Sequence, residues 1–263
     1  MLILALTLLL IAIPSAADAC GRFEFLGRVK TISERVDERP GIMTGAGGER
    51  PVMRTTVSSD GRTVENVIYD LNPPFAIVIT STGEYENGRL VRAVQKRGGN
   101  VYSTTTCTYD SQGRLIEHVT DSKGEFSTHE KIEYGPNTVK RRRQVFGSWY
   151  VTTETLDDRG RVVKAVEASE DRGTVERTTE SVYTGNREEL CSVGPPFNRR
   201  ECGTVVRDSH GNEVESRGGN RTKTTSYEYD AAGNWILQRE LINWSGTTPH
   251  SLEQIIKRTI EYW

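Results

Sequence analysis

The chain has 263 residues, with 34 Lys and Arg against 36 Asp and Glu, and so lacks the basic excess of a nucleic-acid binder. Apolar residues make up 35% of it, and the first nineteen positions hold a disproportionate part of them. The lean remainder, rich in Thr, Arg, Glu and Gly, cannot cover both faces of every element. That excludes a parallel sheet between helices and favours antiparallel strands with one solvated face.

In chain order, Leu2 to Ile13 form an apolar run broken only by Thr7, and Pro14 and Ser15 end it. Ala17-Asp18-Ala19 then supplies the small-x-small pattern of a signal-peptidase site, although no Lys or Arg precedes the run. The run is shorter than the ~20 apolar residues of a membrane-spanning helix. Residues 1–19 therefore read as a signal peptide and the rest as exported: periplasmic, secreted or anchored at the outer membrane. Cys20 follows the cleavage pattern directly, which leaves simple secretion and a lipidated Cys20 both open. A lipid anchor would be the only contact with a membrane.

Four cysteines in an oxidising compartment favour disulfides. Cys191 and Cys202 flank a short loop and are the first expected pair. Cys20 with Cys107 is the second, if Cys20 carries no lipid. Residues 20–54 read as an N-terminal segment, partly loop, and residues 55–263 as one repeat domain.

The repeat rests on octets starting at Gly61, Gly88, Gly113 and Gly160, each with Gly-Arg at its head and Val at the seventh position. Weaker copies start at Gly211 and Gly233, and degenerate units lie near Asn137 and Gly185. The fourth position is β-branched in all six copies: Val64, Val91, Ile116, Val163, Val214 and Ile236. That favours strand over helix. Asp before the Gly suits a type I turn, and the Gly then closes a hairpin with a bulge. Gly98-Gly99-Asn100, Gly147-Ser148 and Gly218-Gly219-Asn220 mark second turns, so each unit is two strands and two turns.

Tyr109-Asp110-x-x-Gly113-Arg114-Leu115 and Tyr229-Asp230-x-x-Gly233-Asn234 resemble the YD repeat of RHS-type proteins and teneurins, over roughly residues 55–240. The resemblance implies antiparallel hairpins side by side in an all-β curved sheet, open or partly closed as a barrel. Six to eight units are too few for the shell-and-cargo role of large members, so only the fold is carried over.

Metal, nucleophile and phosphate-loop motifs are absent, so neither cofactor nor catalysis is expected. His118, His129, His210 and His250 are scattered over different units and read as solvated. Lys140-Arg141-Arg142-Arg143 reads as a charged edge strand with alternating faces. Trp149, Tyr150, Trp235 and Trp244, with Trp263, are candidates for a sugar-stacking platform or for filling a thin core. Phe75 and Phe197 lie in two matched Pro-Pro-Phe loops that suit a partner surface. The expected role is a scaffold or binding protein contacting another protein or an envelope polysaccharide, with a glycan-binding module as the alternative and an enzyme of unknown type as the third reading.

Overall fold

A computed structural model of the protein describes residue 20 and residues 29–39, 49–69, 77–123, 127–145, 147–195, 199–245 and 250–263. The expected signal peptide, Phe75 and Phe197 lie outside the described residues. Strands β1 (Val29–Arg39), β2 (Glu49–Val57), β3 (Thr63–Tyr69), β4 (Ile77–Glu86), β5 (Arg89–Arg97) and β6 (Asn100–Tyr109) come first. They are followed by β7 (Leu115–Ser122), β8 (Thr128–Tyr134), β9 (Thr138–Val145), β10 (Ser148–Leu156), β11 (Val162–Ser169) and β12 (Thr174–Thr184). The last are β13 (Arg187–Val193), β14 (Glu201–Arg207), β15 (Glu213–Gly218), β16 (Arg221–Tyr229), β17 (Trp235–Trp244) and β18 (His250–Tyr262).

Every strand pairs antiparallel with its neighbour in sequence, and β18 returns to β1 with Ile32 opposite Ile260 and Val36 opposite Ile256. The sheet is therefore a closed 18-stranded up-and-down barrel. The antiparallel all-β expectation holds, but the open sheet or partial barrel is corrected to full closure. The reason lies in the strands of residues 20–54. These residues supply β1 and most of β2, which bridge β18 to β3, and the boundary expected at 54/55 falls inside β2.

The turns leading into the odd-numbered strands share one end of the barrel, the turn rim. Four are built alike on Asp110, Asp157, Asp208 and Asp230, whose Oδ1 accepts from the amides two and four residues on, at 2.8–3.0 Å. The Gly amide bonds back to the Asp carbonyl, for example Gly113 to Asp110 at 2.9 Å. Gly113 and Gly233 take φ of 76° and 86°, a region where an L side chain is strained. The degenerate units near Asn137 and Gly185 are also true turns, between β8 and β9 and between β12 and β13.

Register shifts give the recurring fourth position a specific job. Tyr109 faces Leu115 while Thr108 faces Glu117, so Ile116 is the extra residue of a β-bulge. Val91, Val163, Val214 and Ile236 are bulged in the same way; Val64 is not. The bulge changes the phase of the strand. Third and sixth positions of the octet then share one wall, and the seventh-position Val94, Val119 and Val166 face the other.

At ~4.8 Å between strands and a tilt near 40°, a round ring of this many strands is roughly 35 Å across, too wide for side chains to fill. Its buried positions concentrate on one wall, including Ile32, Val64, Leu90, Cys107, His118, Glu130, Ile132 and Val139. Side chains crowd together on a concave surface, so this wall lines the lumen. Val67, Cys191 and Ile255 are exceptions, buried on the opposite wall. The outer wall carries ion pairs such as Arg92–Glu84, Lys131–Glu117, Lys164–Glu180 and Arg239–Glu228.

Candidate functional site

The lumen wall over β6–β11 carries a charged cluster that alternation places on one face. Cys107, His118, Glu130, Arg143 and Tyr150 stand opposite one another across successive strands. Arg141 and Glu154 lie on the same wall, 3.3 Å apart, and Arg143 approaches Glu167 at 3.9 Å. His118 is 1% exposed, and its Nδ1 lies 3.3 Å from Glu130 Oε2 without hydrogen-bond alignment. Burial pushes the Glu130 carboxyl up, but His118 and the nearby Arg141 and Arg143 outweigh it and hold the group below its ordinary range. The solvated reading of His118 is corrected: the bulge at Ile116 turns it inward. His129 faces outward, bonded to Glu117 at 2.7 Å, and His210 stacks on Tyr229.

A second inner cluster pins the closure. Arg258 of β18 contacts Glu34 of β1 through Nε at 2.7 Å and Nη2 at 2.6 Å, with its guanidinium 3.3 Å from the Trp235 ring centre. Burial lowers the Arg258 pKa against the opposing pull of Glu34. Nearby Tyr227 is pushed up to about 12 by burial and by the negative charge of Glu240 and its neighbours.

The turn rim is locked by tyrosines. The hydroxyls of Tyr109, Tyr134 and Tyr183 donate to the carbonyls of Leu90, Leu115 and Val162 at 2.8–3.0 Å, just past the preceding turn. Arg89, Arg114 and Arg161 of those turns lie over the same rings. Where Asn replaces Arg, the bond moves to the turn itself: Tyr229 donates to Asp208 at 2.6 Å and Tyr262 to Asp230. Asn212 and Asn234 in turn donate to these hydroxyls. The sequence pointed to Tyr109 and Tyr229 as turn markers, and their part is to fasten the turn before their own.

Both disulfides are present, Cys191–Cys202 and Cys20–Cys107, and no described cysteine is free. Cys191 and Cys202 face each other across β13 and β14 on the outer wall. Cys20 is buried against the lumen wall with Cys107 and Leu90, and its carbonyl accepts from Tyr109 at 3.0 Å. With its sulfur bound to Cys107, Cys20 has no thiol to carry a lipid.

The aromatic candidates do not meet. Trp149 points outward against Arg142, at 4.0 Å, and His129, while its neighbour Tyr150 points into the lumen. Trp235 sits near the turn rim, and Trp244 lies at the opposite end, seven strands from Trp149. Lys140–Arg143 does alternate between walls, but β9 is paired on both sides, so the edge-strand reading is corrected. β3 and β13, the strands that precede the two Pro-Pro-Phe segments in sequence, end at the side opposite the turn rim, here the loop rim. A cleft of about 260 Å³ lies between two turns, lined by Glu86, Arg89, Tyr109 and Asp110 among others.

No family model matches the chain, and no curated protein matches it. Among solved structures it is similar to a porin-like protein from Bacteroides uniformis, at a TM-score of 0.48 and 11% identity. The match covers 89% of this chain and 96% of that one.

Proposed function

We propose that the protein is an exported β-barrel scaffold, immersed in water, that binds a cell-envelope component through its loop rim and performs no catalysis. The observation that carries this reading is the contrast between the two ends. The turn rim is fastened by repeated Asp, Arg and Tyr contacts and exposes Val182, Tyr262 and Trp263, whereas the loop rim exposes the larger apolar set of Ile77, Val101, Tyr102, Val175 and Val193. Lys, Arg, Glu and Thr on the outer wall argue against a lipid-facing band, which needs apolar residues at alternate positions of every strand. The tyrosine locks support kinship with YD repeats, since they give that motif a physical purpose.

Fractionation of the native host, followed by pull-down with the protein from its own envelope, tests the reading. Recovery outside the cytoplasm with a stoichiometric envelope component supports it. A cytoplasmic protein, or one retaining nothing from the envelope, contradicts it. Dispersal of Trp149, Tyr150, Trp235 and Trp244 removes the main support for glycan stacking, so polysaccharide is the less favoured component.

A further inference from the structure

The two rims differ in charge as well as construction. At the loop rim the ends of β5, β12, β14 and β16 bring exposed Lys96, Arg97, Arg177, Arg199, Arg200 and Arg221. Acidic groups there are fewer, and Glu170 and Glu176 are engaged by Arg142 and Arg172 at 2.7 and 2.9 Å. Apolar side chains stand exposed among these cations: Ile77 at 55%, Val175 at 58%, Val193 at 39%, and Val101 and Tyr102 at 37% each. The turn rim instead mixes its aspartates with arginines in similar number, and Asp110 and Asp157 are paired with Arg114 and Arg161 at 2.8 and 2.7 Å.

We infer that the loop rim docks the barrel end-on against an anionic lipid surface. This rests on the envelope-binding reading and names its component. Cations alone would suit any polyanion. Exposed Ile, Val and Tyr side chains interleaved with them fit the headgroup–acyl boundary, where apolar burial and charge act together. The turn rim, with its aspartates paired to arginines, lacks the loop rim's surplus of cations, and that difference sets the orientation. Since the Cys20 sulfur is held by Cys107, this attachment needs no lipid on the protein.

Sedimentation with sonicated vesicles tests it, using the intact protein isolated from an exporting bacterial host. Binding is expected to phosphatidylcholine vesicles containing 30% phosphatidylglycerol, to weaken in high salt, and to be absent with phosphatidylcholine alone. Lys96→Glu/Arg97→Glu/Arg177→Glu should weaken it by at least about 100-fold, from roughly fivefold per surface cation. Val101→Asp/Val175→Asp should weaken it with no change of cation count. Arg62→Glu/Arg159→Glu at the turn rim, a comparable charge change, should leave it intact. Absence of binding to the anionic vesicles, or equal loss in both charge variants, overturns the docking. Retention on envelope polysaccharide with no vesicle binding overturns the lipid assignment while leaving the envelope scaffold standing.

Discussion

His118 and Glu130 form a buried pair whose partners are each mostly cut off from water, with side-chain exposures of 1% and 7%. Replacing His118 by Leu leaves a buried carboxylate facing Arg141 and Arg143 only through space, and breaking a buried pair in this way costs about 3–5 kcal/mol. Replacing Glu130 by Leu leaves the imidazole without its one charged partner, which costs roughly 1–2 kcal/mol, the scale of one lost polar contact. The double variant His118→Leu/Glu130→Leu removes both polar groups and fills the wall with apolar atoms, so its cost should be within about 1 kcal/mol of zero. Urea unfolding of the four proteins, read by tryptophan fluorescence, gives the coupling directly. A double variant destabilised by the sum of the single effects, within about 0.5 kcal/mol, would refute the placement of this pair inside the lumen wall.

Four further outcomes are expected. Arg258→Met should destabilise the barrel by about 3 kcal/mol, because Glu34 is left mostly buried without its partner; a loss below about 0.5 kcal/mol in urea unfolding contradicts the seam. Cys191→Ser/Cys202→Ser should cost about 3 kcal/mol, since the bond spans a sequence separation of 11, and an unchanged urea midpoint would contradict the bridge. Tyr134→Phe should cost about 1 kcal/mol by removing the bond to Leu115, measured against Tyr102→Phe as an exposed control.

Acid should act through depressed carboxylates. Turn amides and arginines hold Asp110 and Asp157 below their ordinary value of 3.8, and Glu130 lies below its ordinary 4.5. A group with a lowered folded-state pKa stabilises fully above its unfolded value and loses that contribution as pH falls through the folded one. The urea midpoint should show no acid loss between about pH 7 and 5 and should fall only below about pH 4. A drop already complete at pH 5 contradicts this.

The local half of this fold is legible in the sequence, because an Asp-x-x-Gly turn is decided by residues that touch one another. Asp110 to Gly113 and Asp230 to Gly233 identify their hairpins without tertiary help. Closure is not legible in the same way. It depends on β1 meeting β18, more than two hundred residues apart, and β1 and β2 carry no repeat motif. Nor does alternation alone tell which residues enter the lumen. The bulges at Ile116 and its equivalents shift the phase, so a plain period-two reading would turn Val119 inward and His118 outward. The inward place of His118 is hidden for that reason, whereas Arg141 follows plain alternation with Val139 on the unbulged β9. Cys20–Cys107 was within reach of parity in the cysteine count, while its position inside the lumen was not.

The most direct test of the closed barrel is a cross-link across its seam. Ser33 and Thr259 stand opposite each other on the outer wall, one on β1 and one on β18. With both changed to Cys, the closed ring predicts a spontaneous disulfide, as does the control pair Thr82→Cys/Val94→Cys between β4 and β5. A control that cross-links while Ser33→Cys/Thr259→Cys stays reduced would mean that the sheet is open.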